Sequence, residues 1–536
     1  MSKSNKLTNS KNDKQVTGKI INSQASMDKA VKSICDILRR DKAKGARLYV
    51  PELTWMFFLR YLDIMEQQEE LKAKALGTSF QPSIAEPYRW RDWAAPFDHR
   101  IPYDETIFQQ QGWKRHELSE KAMGSYLSFV NDELFPYLKT LRDGSESTNK
   151  QKVISEIIRN KERTILASET NLQNALDGIH ELTEATISDQ HIFPISQAFE
   201  GLLPSLGEKQ NDGGQFFTPR EIIRVIVDTV QPQVGKTVYD PCCGTGGFLI
   251  EAYKAMMKQN PTPTQIAELK TKTLWGREDA GEAIPICLAN MVLHEIDLPR
   301  IWHGNTLTGA VTYGELFSDA PNQFDYVLTN PPFGSKEGKD AQAQFAYKSG
   351  KAQILFLQHI INSLADGGTC GMVIDEGVMF HTKTTAYLQT KRKLLDDCNL
   401  WCVISLPQGV FVNAGAGVKT DLLFFTKGKQ TERVWYYDMT LTDDFKPRKV
   451  NKGNPLIYDD FQDFFERLAL NPDDPKRISE RSWYVTIDEL KEKNYDLKAI
   501  NENAPDTSDK RTTDELMAII SEAQRQIEDG LKGLLK

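Results

Sequence analysis

Residues 236–250 read KTVYDPCCGTGGFLI, and this stretch decides the fold. A short β-branched run ends at Asp240, passes through a glycine-rich turn at 244–247 and enters an apolar segment. That order predicts a strand, a loop whose glycines let the backbone approach a ligand, and a helix. Such a unit is typical of nucleotide-type sites in α/β folds. The glycine spacing fits neither the dinucleotide GxGxxG fingerprint nor a P-loop, which would need a following Lys-Ser/Thr.

Two further strands are predicted downstream of the glycine-rich turn. The run TLWG at 273–276 predicts a strand that ends near Glu278, and GNTL at 304–307 marks the end of another. An acid in the position of Glu278 is typical of a group that binds ribose hydroxyls. Glu278 lies 38 residues after Asp240, whereas dinucleotide sites place this acid about 20 residues on. The spacing therefore also differs from that of a dinucleotide site.

Residues 330–333, Asn-Pro-Pro-Phe, follow the apolar run 324–329, which predicts a buried strand. Two consecutive prolines cannot continue a strand, because neither has an N–H for the ladder and both fix φ. We therefore expect a stiff loop at a carboxyl strand end, where open α/β sheets bind ligands. By itself this loop is equally a structural turn or a grip for a flat, polar-edged group such as a nucleobase.

Residues 215–220, QFFTPR, precede an apolar pattern of helical period. Thr218 is a favourable N-cap and Pro219 a favourable first-turn residue, so the sequence predicts that a helix starts here. A cap does not require the paired aromatics Phe216 and Phe217. They could instead cover an adenine or a methionine chain.

Composition and charge narrow the class of protein. The 536 residues are 40% hydrophobic and 26% charged, as in soluble globular proteins, and their length predicts two to four domains. No apolar run approaches 18 residues and the N-terminus is polar, so we expect no membrane span and a cytoplasmic location. Seven cysteines without a CxxC pair argue against both a zinc site and a disulfide framework. The net charge of −8 is unfavourable for gripping DNA alone, although residues 1–50 carry twelve Lys/Arg against four Asp.

The chain is expected to fall into five segments. The C-terminal segment contains a helix whose apolar residues follow a 3.5-residue repeat, which fits either intramolecular packing or a coiled-coil contact with a partner helix. The repeat consists of Leu516, Ile520, Ala523, Ile527 and Leu534. The five segments are a disordered tail (1–26), a helical domain (27–200), an α/β core (201–430), a small appendage (431–505), and a linker with the terminal helix (506–536).

The ordered set QFFTPR, DPCCGTGG, GRED, GNTL and NPPF, followed by the later block at 404–425, resembles the amino-group DNA methyltransferases that use S-adenosylmethionine. Each motif alone is weak, but together they span about 210 residues in the family's order. The modification subunit of type I restriction–modification systems is the most similar class. The resemblance implies a doubly wound, Rossmann-like methyltransferase core with an N-terminal helical domain and a C-terminal helix.

The resemblance also implies roles for individual residues. Catalysis would fall to Asn330, Pro331, Pro332 and Phe333. The cofactor-binding set would comprise Gln215, Phe216, Phe217, Thr218, Pro219, Arg220, Asp240, Cys243, Gly244, Thr245, Gly246, Gly247, Glu278, Asn305 and Thr306, and no metal is expected. Asp240 would lie near the amino-acid end of the cofactor, Glu278 near its ribose, and Asn305 and Thr306 near its adenine. Asn305 departs from the family pattern, in which an Asp is usual.

The activity implied is N6-methylation of a flipped adenine in double-stranded DNA, with the target sequence read by a separate specificity subunit. A second copy of the chain would complete the complex, with a restriction subunit as an optional addition. Three alternatives remain at this point. They are a stand-alone adenine methyltransferase, a protein glutamine methyltransferase, which also uses an Asn-Pro-Pro-aromatic motif, and a cofactor-binding scaffold without activity.

Overall fold

The computed structural model describes most of the chain. The described residues are 24–97, 110–184, 218–296, 298–309, 319–412, 417–451, 453–498, 500–501, 503–505 and 511–534. The predicted tail up to residue 23 and the predicted cofactor residues Gln215, Phe216 and Phe217 lie outside them. Within these ranges, no helix combines the length and hydropathy that a bilayer crossing needs.

The described chain before residue 185 is helical. Its aromatic side chains form the centre of the packing, because the Trp55 ring stacks on Trp93 at 6.4 Å and meets the edge of Phe135 at 5.2 Å. A π-helix, Phe129–Leu134, separates the fifth and sixth α-helices. The α-helices are Gln24–Arg40 (α1), Ala46–Leu76 (α2), Trp90–Trp93 (α3), Trp113–Ser119 (α4), Ser125–Ser128 (α5), Phe135–Thr140 (α6), Asn149–Ile158 (α7) and Glu169–Glu184 (α8).

In the described residues from 218 onward, nine strands form one sheet. They are Val238–Asp240 (β1), Leu274–Glu278 (β2), Arg300–His303 (β3), Phe324–Thr329 (β4), Leu364–Asp375 (β5), Cys398–Ser405 (β6), Thr420–Lys427 (β7), Arg433–Asp438 (β8) and Ser482–Thr486 (β9). Their spatial order is β3-β2-β1-β4-β5-β7-β6-β8-β9. Strands β1 to β5 pair in parallel, whereas β7 runs antiparallel to both β5 and β6. The predicted strand ends at 240, 278 and 329 therefore lie at one edge of the sheet.

Helices cover both faces of the sheet. Successive residues of β7 show this, because Leu422 and Phe424 pack into one hydrophobic cluster while Leu423 and Phe425 pack into the other. This two-sided burial confirms the doubly wound α/β core. The helices from this part of the chain are Arg220–Val230 (α9), Gly247–Met257 (α10), Pro263–Thr271 (α11), Ala283–Leu293 (α12), Lys339–Ala343 (α13), Ala352–Ser363 (α14), Glu376–Phe380 (α15), Thr385–Asp397 (α16), Gln462–Leu468 (α17), Ile487–Glu492 (α18) and Thr513–Leu534 (α19).

The segment expected as a separate appendage shares the sheet of the core. Strand β8 pairs in parallel with β6, and β9 pairs antiparallel with β8. The boundary that we expected at residue 430 thus falls between β7 and β8, two strands of the same sheet that lie on either side of β6. At the other end of the chain, α12 of the core packs against α2 and α7 of the helical part.

Candidate active site

The carboxyl ends of β1, β2 and β4 bring three predicted residues to one place. In the parallel register, Asp240 lies opposite Gly276, two residues before the end of β2. Strand β4 pairs with β1 on the other side and leads directly into Asn330. Asp240, Glu278 and Asn330 therefore converge at the edge where open parallel sheets bind ligands.

The glycine-rich turn connects β1 to α10 and is bonded to β2. The Gly244 N–H donates to the Glu278 carboxylate at 2.8 Å, and the Cys243 N–H donates to the Arg277 carbonyl at 2.9 Å. Gly246 adopts a φ of 83°, which favours glycine, and precedes the first residue of α10. These two hydrogen bonds therefore fix the backbone of the turn against the end of β2. Helix α10 begins at the turn and runs away from the site.

Asp240 is fully buried and keeps one oxygen available. Its Oδ1 accepts hydrogen bonds from the Thr329 hydroxyl at 2.7 Å and from the Cys242 N–H at 3.1 Å. Its Oδ2 has no hydrogen-bond partner among the described residues. Burial raises the pKa of Asp240 to about 7, against the lowering effect of these two bonds. A cationic group in the adjoining cavity would favour the ionised carboxylate.

Glu278 is held by backbone amides. In addition to the bond from Gly244, its other oxygen accepts from the N–H groups of Asp279 at 3.0 Å and Ala280 at 2.9 Å. Burial raises its pKa although these bonds favour the charged form. The carboxylate is thus fixed in position at the end of β2, beside a cavity that Glu278 lines.

Asn305 and Thr306 lie across that cavity from Glu278. The Asn305 side-chain oxygen accepts from the Leu307 and Thr308 N–H groups at 3.0 and 2.9 Å, while its amide donates to Asp279 at 3.2 Å. The Thr306 hydroxyl donates to the Pro241 carbonyl at 2.6 Å. Both side chains therefore tie the loop after β3 to the loops after β1 and β2.

The Asn-Pro-Pro-Phe loop is fixed by two side chains from other elements. The Asn330 amide donates to the Thr218 hydroxyl at 3.0 Å, and the buried Gln353 of α14 donates to the Pro331 carbonyl at 3.2 Å. The Asn330 Oδ1 is buried and has no hydrogen-bond partner in the described part of the chain. A buried acceptor without a donor is costly in a protein, which makes it a candidate for a ligand contact.

Thr218 corrects the predicted helix start. Helix α9 begins at Arg220, and its N-cap is Pro219, whose carbonyl accepts from the Ile222 and Ile223 N–H groups. Thr218 does not cap the helix, because its hydroxyl instead faces the Asn330 amide.

Phe333, the last residue of the loop, is half-buried. Its ring meets Phe411 edge-on, with 5.5 Å between the ring centroids. Phe411 is itself buried and belongs to the later sequence block at 404–425. The contact therefore joins the last residue of the Asn-Pro-Pro-Phe loop to the later sequence block.

Most of the predicted site residues line one of two cavities. The first, next to Asp240, is lined by the predicted residues Thr218, Arg220, Asp240, Cys243, Gly244, Thr245, Gly247 and Asn330. The second has a volume of about 260 Å³ and is lined by the predicted residues Glu278, Asn305, Thr306, Asn330 and Pro332. Asn330 lines both, so it stands where they meet. Four predicted residues, Pro219, Gly246, Pro331 and Phe333, line neither.

Sequence reasoning missed four polar residues of the site. Asp279, Ser335 and Glu337 line the larger cavity, and Gln353 contacts Pro331. Asp279 could have been found, because it follows Glu278 directly in the GRED motif. Gln353 gave no signal, since it is one of several polar residues in its helix and meets the loop only in the folded chain.

Family models match nearly the whole described chain. A model of the HsdM N-terminal domain matches residues 27–179, and a model of the N-6 DNA methylases matches residues 189–510.

Individual relatives agree with these models. The methylase subunit of the type I restriction enzyme EcoEI from Escherichia coli is 30% identical over 94% of this chain and 95% of its own length. A chain solved in work on complex assembly and conformational transition of the type I restriction–modification system is 34% identical, with a TM-score of 0.71 over 96% of this chain and 98% of its own. A modification subunit of a type I restriction enzyme from Vibrio vulnificus is 27% identical, with a TM-score of 0.70 over 89% of this chain and 97% of its own.

This similarity extends over nearly the whole chain. It favours a DNA methylase over the two alternatives of a protein glutamine methyltransferase and an inactive scaffold. The chain belongs to the N-6 DNA methylase family, as an adenine-specific DNA methyltransferase of the class formed by type I restriction–modification methylase subunits.

Proposed function

We propose that this chain transfers a methyl group from S-adenosylmethionine to the N6 atom of an adenine held by Asn330 and Pro331. The observation that carries the proposal is the buried Asn330 Oδ1, which lacks a donor among the described residues and stands where the two cavities meet. An adenine amino group would supply that donor.

The amino group needs this help because its lone pair is delocalised into the purine ring. Two acceptors, the Asn330 Oδ1 and the Pro331 carbonyl, would each take one N–H bond. Such bonding favours a tetrahedral nitrogen with its lone pair directed at the methyl donor. No covalent enzyme nucleophile is required, and fixed positioning supplies most of the acceleration.

The loop's supports fit this role. The bond to Thr218 fixes the Asn330 amide nitrogen and so turns Oδ1 away from it. Gln353 uses one lone pair of the Pro331 carbonyl and leaves the second for the substrate. Phe333, ordered by Phe411, would stack on the flipped base, whose extrusion costs a few kcal/mol.

The chemistry of the cavities fits S-adenosylmethionine, which supplies an electrophilic methyl group when bound. The unpartnered Asp240 Oδ2 suits the ammonium of an amino-acid chain, and Arg220 beside it suits the carboxylate. Glu278 and Asp279 offer carboxylates to vicinal hydroxyls in the larger cavity. Phe216 and Phe217, just before the described helix start, remain predicted cover for the same ligand.

We place the chain in a complex with double-stranded DNA, a specificity subunit and a second copy of itself, with a restriction subunit as an optional addition. Helix α19 supports a partner contact, because every side chain from 511 to 527 is exposed, including Ile520 at 57% and Ile527 at 64%. An apolar 3.5-residue stripe that packs on nothing in its own described chain suits a partner helix.

Methylation mapping of host DNA, with and without this chain, tests the function. We expect N6-methyladenine at one recurring sequence only when the chain and its specificity subunit are both present. Methylation by the purified chain alone would favour the stand-alone alternative, and unchanged adenine methylation in cells without the chain would contradict the function.

A further inference from the structure

A lysine-bearing segment follows the catalytic loop directly. Residues 336–351 carry four lysines against two acidic residues, and Lys336 and Lys351 form an antiparallel β-bridge. The bridge is closed by hydrogen bonds from the Glu337 N–H to the Gly350 carbonyl at 3.0 Å and from the Ala352 N–H to the Ser335 carbonyl at 3.2 Å. Two ammonium-bearing side chains are thus held opposite each other.

Neither lysine is neutralised within the described chain. Lys336 and Lys351 are exposed, and no ion pair or side-chain hydrogen bond connects them to a described residue. Like charges directly opposite each other in an antiparallel pair destabilise it. An anion bound between them would turn that repulsion into attraction.

The segment is anchored on the rim of the larger cavity. Phe345 packs in a small cluster with Leu307 and Phe356, and Gln358 of α14 exchanges hydrogen bonds with the Tyr347 backbone at 3.0 and 2.9 Å. Ser335 and Glu337, on either side of Lys336, line the cavity itself. The bridge is therefore fixed at the rim of the cavity, with Lys336 on the opposite face of the extended backbone from Ser335 and Glu337.

Its distance from the base-binding loop is short. Lys336 is three residues after Phe333, so their Cα atoms are at most about 11 Å apart. A nucleotide stacked on Phe333 would bring its strand's phosphates to this rim. A chain of net charge −8 needs such local positive surface to hold DNA.

We infer that the Lys336–Lys351 bridge binds backbone phosphates of the DNA strand that carries the target adenine. The inference rests on the proposed function, since it takes Phe333 as the stacking residue. These lysines act as point charges on phosphate oxygens, so they position the strand without reading sequence.

The test is the salt dependence of DNA binding by the complex of full-length chain and specificity subunit. Replacing both residues (Lys336→Gln with Lys351→Gln) should reduce the slope of log K against log[salt] by about 1.8 for each bound copy, since each phosphate contact contributes about 0.9. Between 50 and 200 mM salt, the variant should lose about tenfold less affinity per copy than the unaltered complex. The charge-retaining pair Lys336→Arg with Lys351→Arg should keep the original slope.

Lys258 and Lys429 provide a matched control. Both are exposed and form no ion pair with a described residue. Lys258 follows α10, which runs away from the glycine-rich turn, and Lys429 follows the antiparallel β7, so both lie at the opposite edge of the sheet. Their double Gln variant should leave the slope unchanged.

An unchanged slope in the Lys336/Lys351 Gln variant, or an equal drop in the Lys258/Lys429 control, would overturn the inference. Methyl transfer at saturating DNA and low salt should persist in the Lys258/Lys429 control. Failure of the unaltered complex to methylate DNA would instead count against the proposed function.

Discussion

The Asn330 side-chain amide donates to the Thr218 hydroxyl at 3.0 Å, across 112 residues of chain. This bond joins Thr218 of the QFFTPR motif to the proposed catalytic loop and fixes the orientation of the Asn330 side-chain amide at the cavities. The QFFTPR motif, which is predicted to bind the cofactor, thus also positions Asn330, which is proposed to bind the target adenine.

Removing this hydroxyl should slow methyl transfer. In Thr218→Val, the Asn330 amide loses its partner and a net interaction of about 0.5–1.5 kcal/mol, so the single-turnover rate should fall about 2- to 10-fold. Rapid-quench transfer of labelled methyl to DNA measures this rate. Thr218→Ser keeps the hydroxyl and should restore most of it, and equal rates in the Val and Ser variants would show that the bond is not used.

Gln353 should act as a positioning residue for the Pro331 carbonyl. It donates to that carbonyl and accepts from the Asp375 N–H at 2.8 Å, so it joins the loop to the end of β5. Gln353→Met should reduce the single-turnover rate at saturating DNA about tenfold or more, while S-adenosylmethionine affinity stays within about twofold.

Gln358→Met is the control for Gln353. Gln358 is also buried in α14 and also bonds backbone groups, those of Tyr347 and Ile354, and none of its hydrogen bonds to described residues reaches residues 330–333. Both variants should lower the melting temperature, because each leaves buried polar groups unpaired. Only Gln353→Met should slow the methyl-transfer step, and a similar rate in both variants would reduce Gln353 to a structural role.

Cofactor binding should weaken in acid. Burial raises the pKa of Asp240 to about 7, so the carboxyl becomes protonated as the pH falls through this value and can no longer pair with an ammonium. The calorimetric Kd for S-adenosylmethionine should therefore rise about tenfold for each pH unit below 7.

Stability without ligand should change in the opposite direction. A folded pKa above the unfolded value of 3.8 means that the folded chain holds the proton more tightly, so Asp240 destabilises the fold as the pH rises from about 4 to 7.

The control for the binding prediction is Asp240→Asn, which should bind S-adenosylmethionine weakly at every pH. A Kd of the unaltered chain that does not vary between pH 5.5 and 7.5 would exclude the Asp240–ammonium pair.

The exposed stripe of α19 should be required for assembly. Ile520→Glu with Ile527→Glu places charges in the apolar seam, and co-purification with the specificity subunit should be lost while S-adenosylmethionine binding remains. Ala518→Glu puts the same charge on the opposite side of the helix and should have no effect. Intact co-purification of the double variant would contradict the partner-helix assignment.

The sequence predicted what depends on local signals. Apolar runs that stop at Asp240 and at Asn330 marked strand ends, and parallel strands necessarily bring their carboxyl ends to one edge. Long-range partners had no such signal. Thr218 looked like a cap because nothing local reveals Asn330 as a competing donor, and nothing local distinguishes Gln353 from the other polar residues of its helix.

The extent of the sheet was also beyond local signals. Residues 433–438 and 482–486 have ordinary strand patterns, and nothing in them shows that they pair with β6 and with each other. The pairings join segments that are distant in the chain, and only the folded structure shows them. The segment 431–505 therefore looked independent although its strands extend the core sheet.

Substitution of Asn330 tests the central claim most directly. In Asn330→Ala, the adenine amine loses the acceptor on the side chain, so single-turnover methyl transfer from labelled S-adenosylmethionine to target DNA should fall about 100-fold or more. Calorimetric affinity for S-adenosylmethionine and the affinity for DNA should stay within about threefold of the unaltered complex. Methyl transfer at the unaltered rate in Asn330→Ala would contradict the assignment of this loop as the adenine-binding catalytic element.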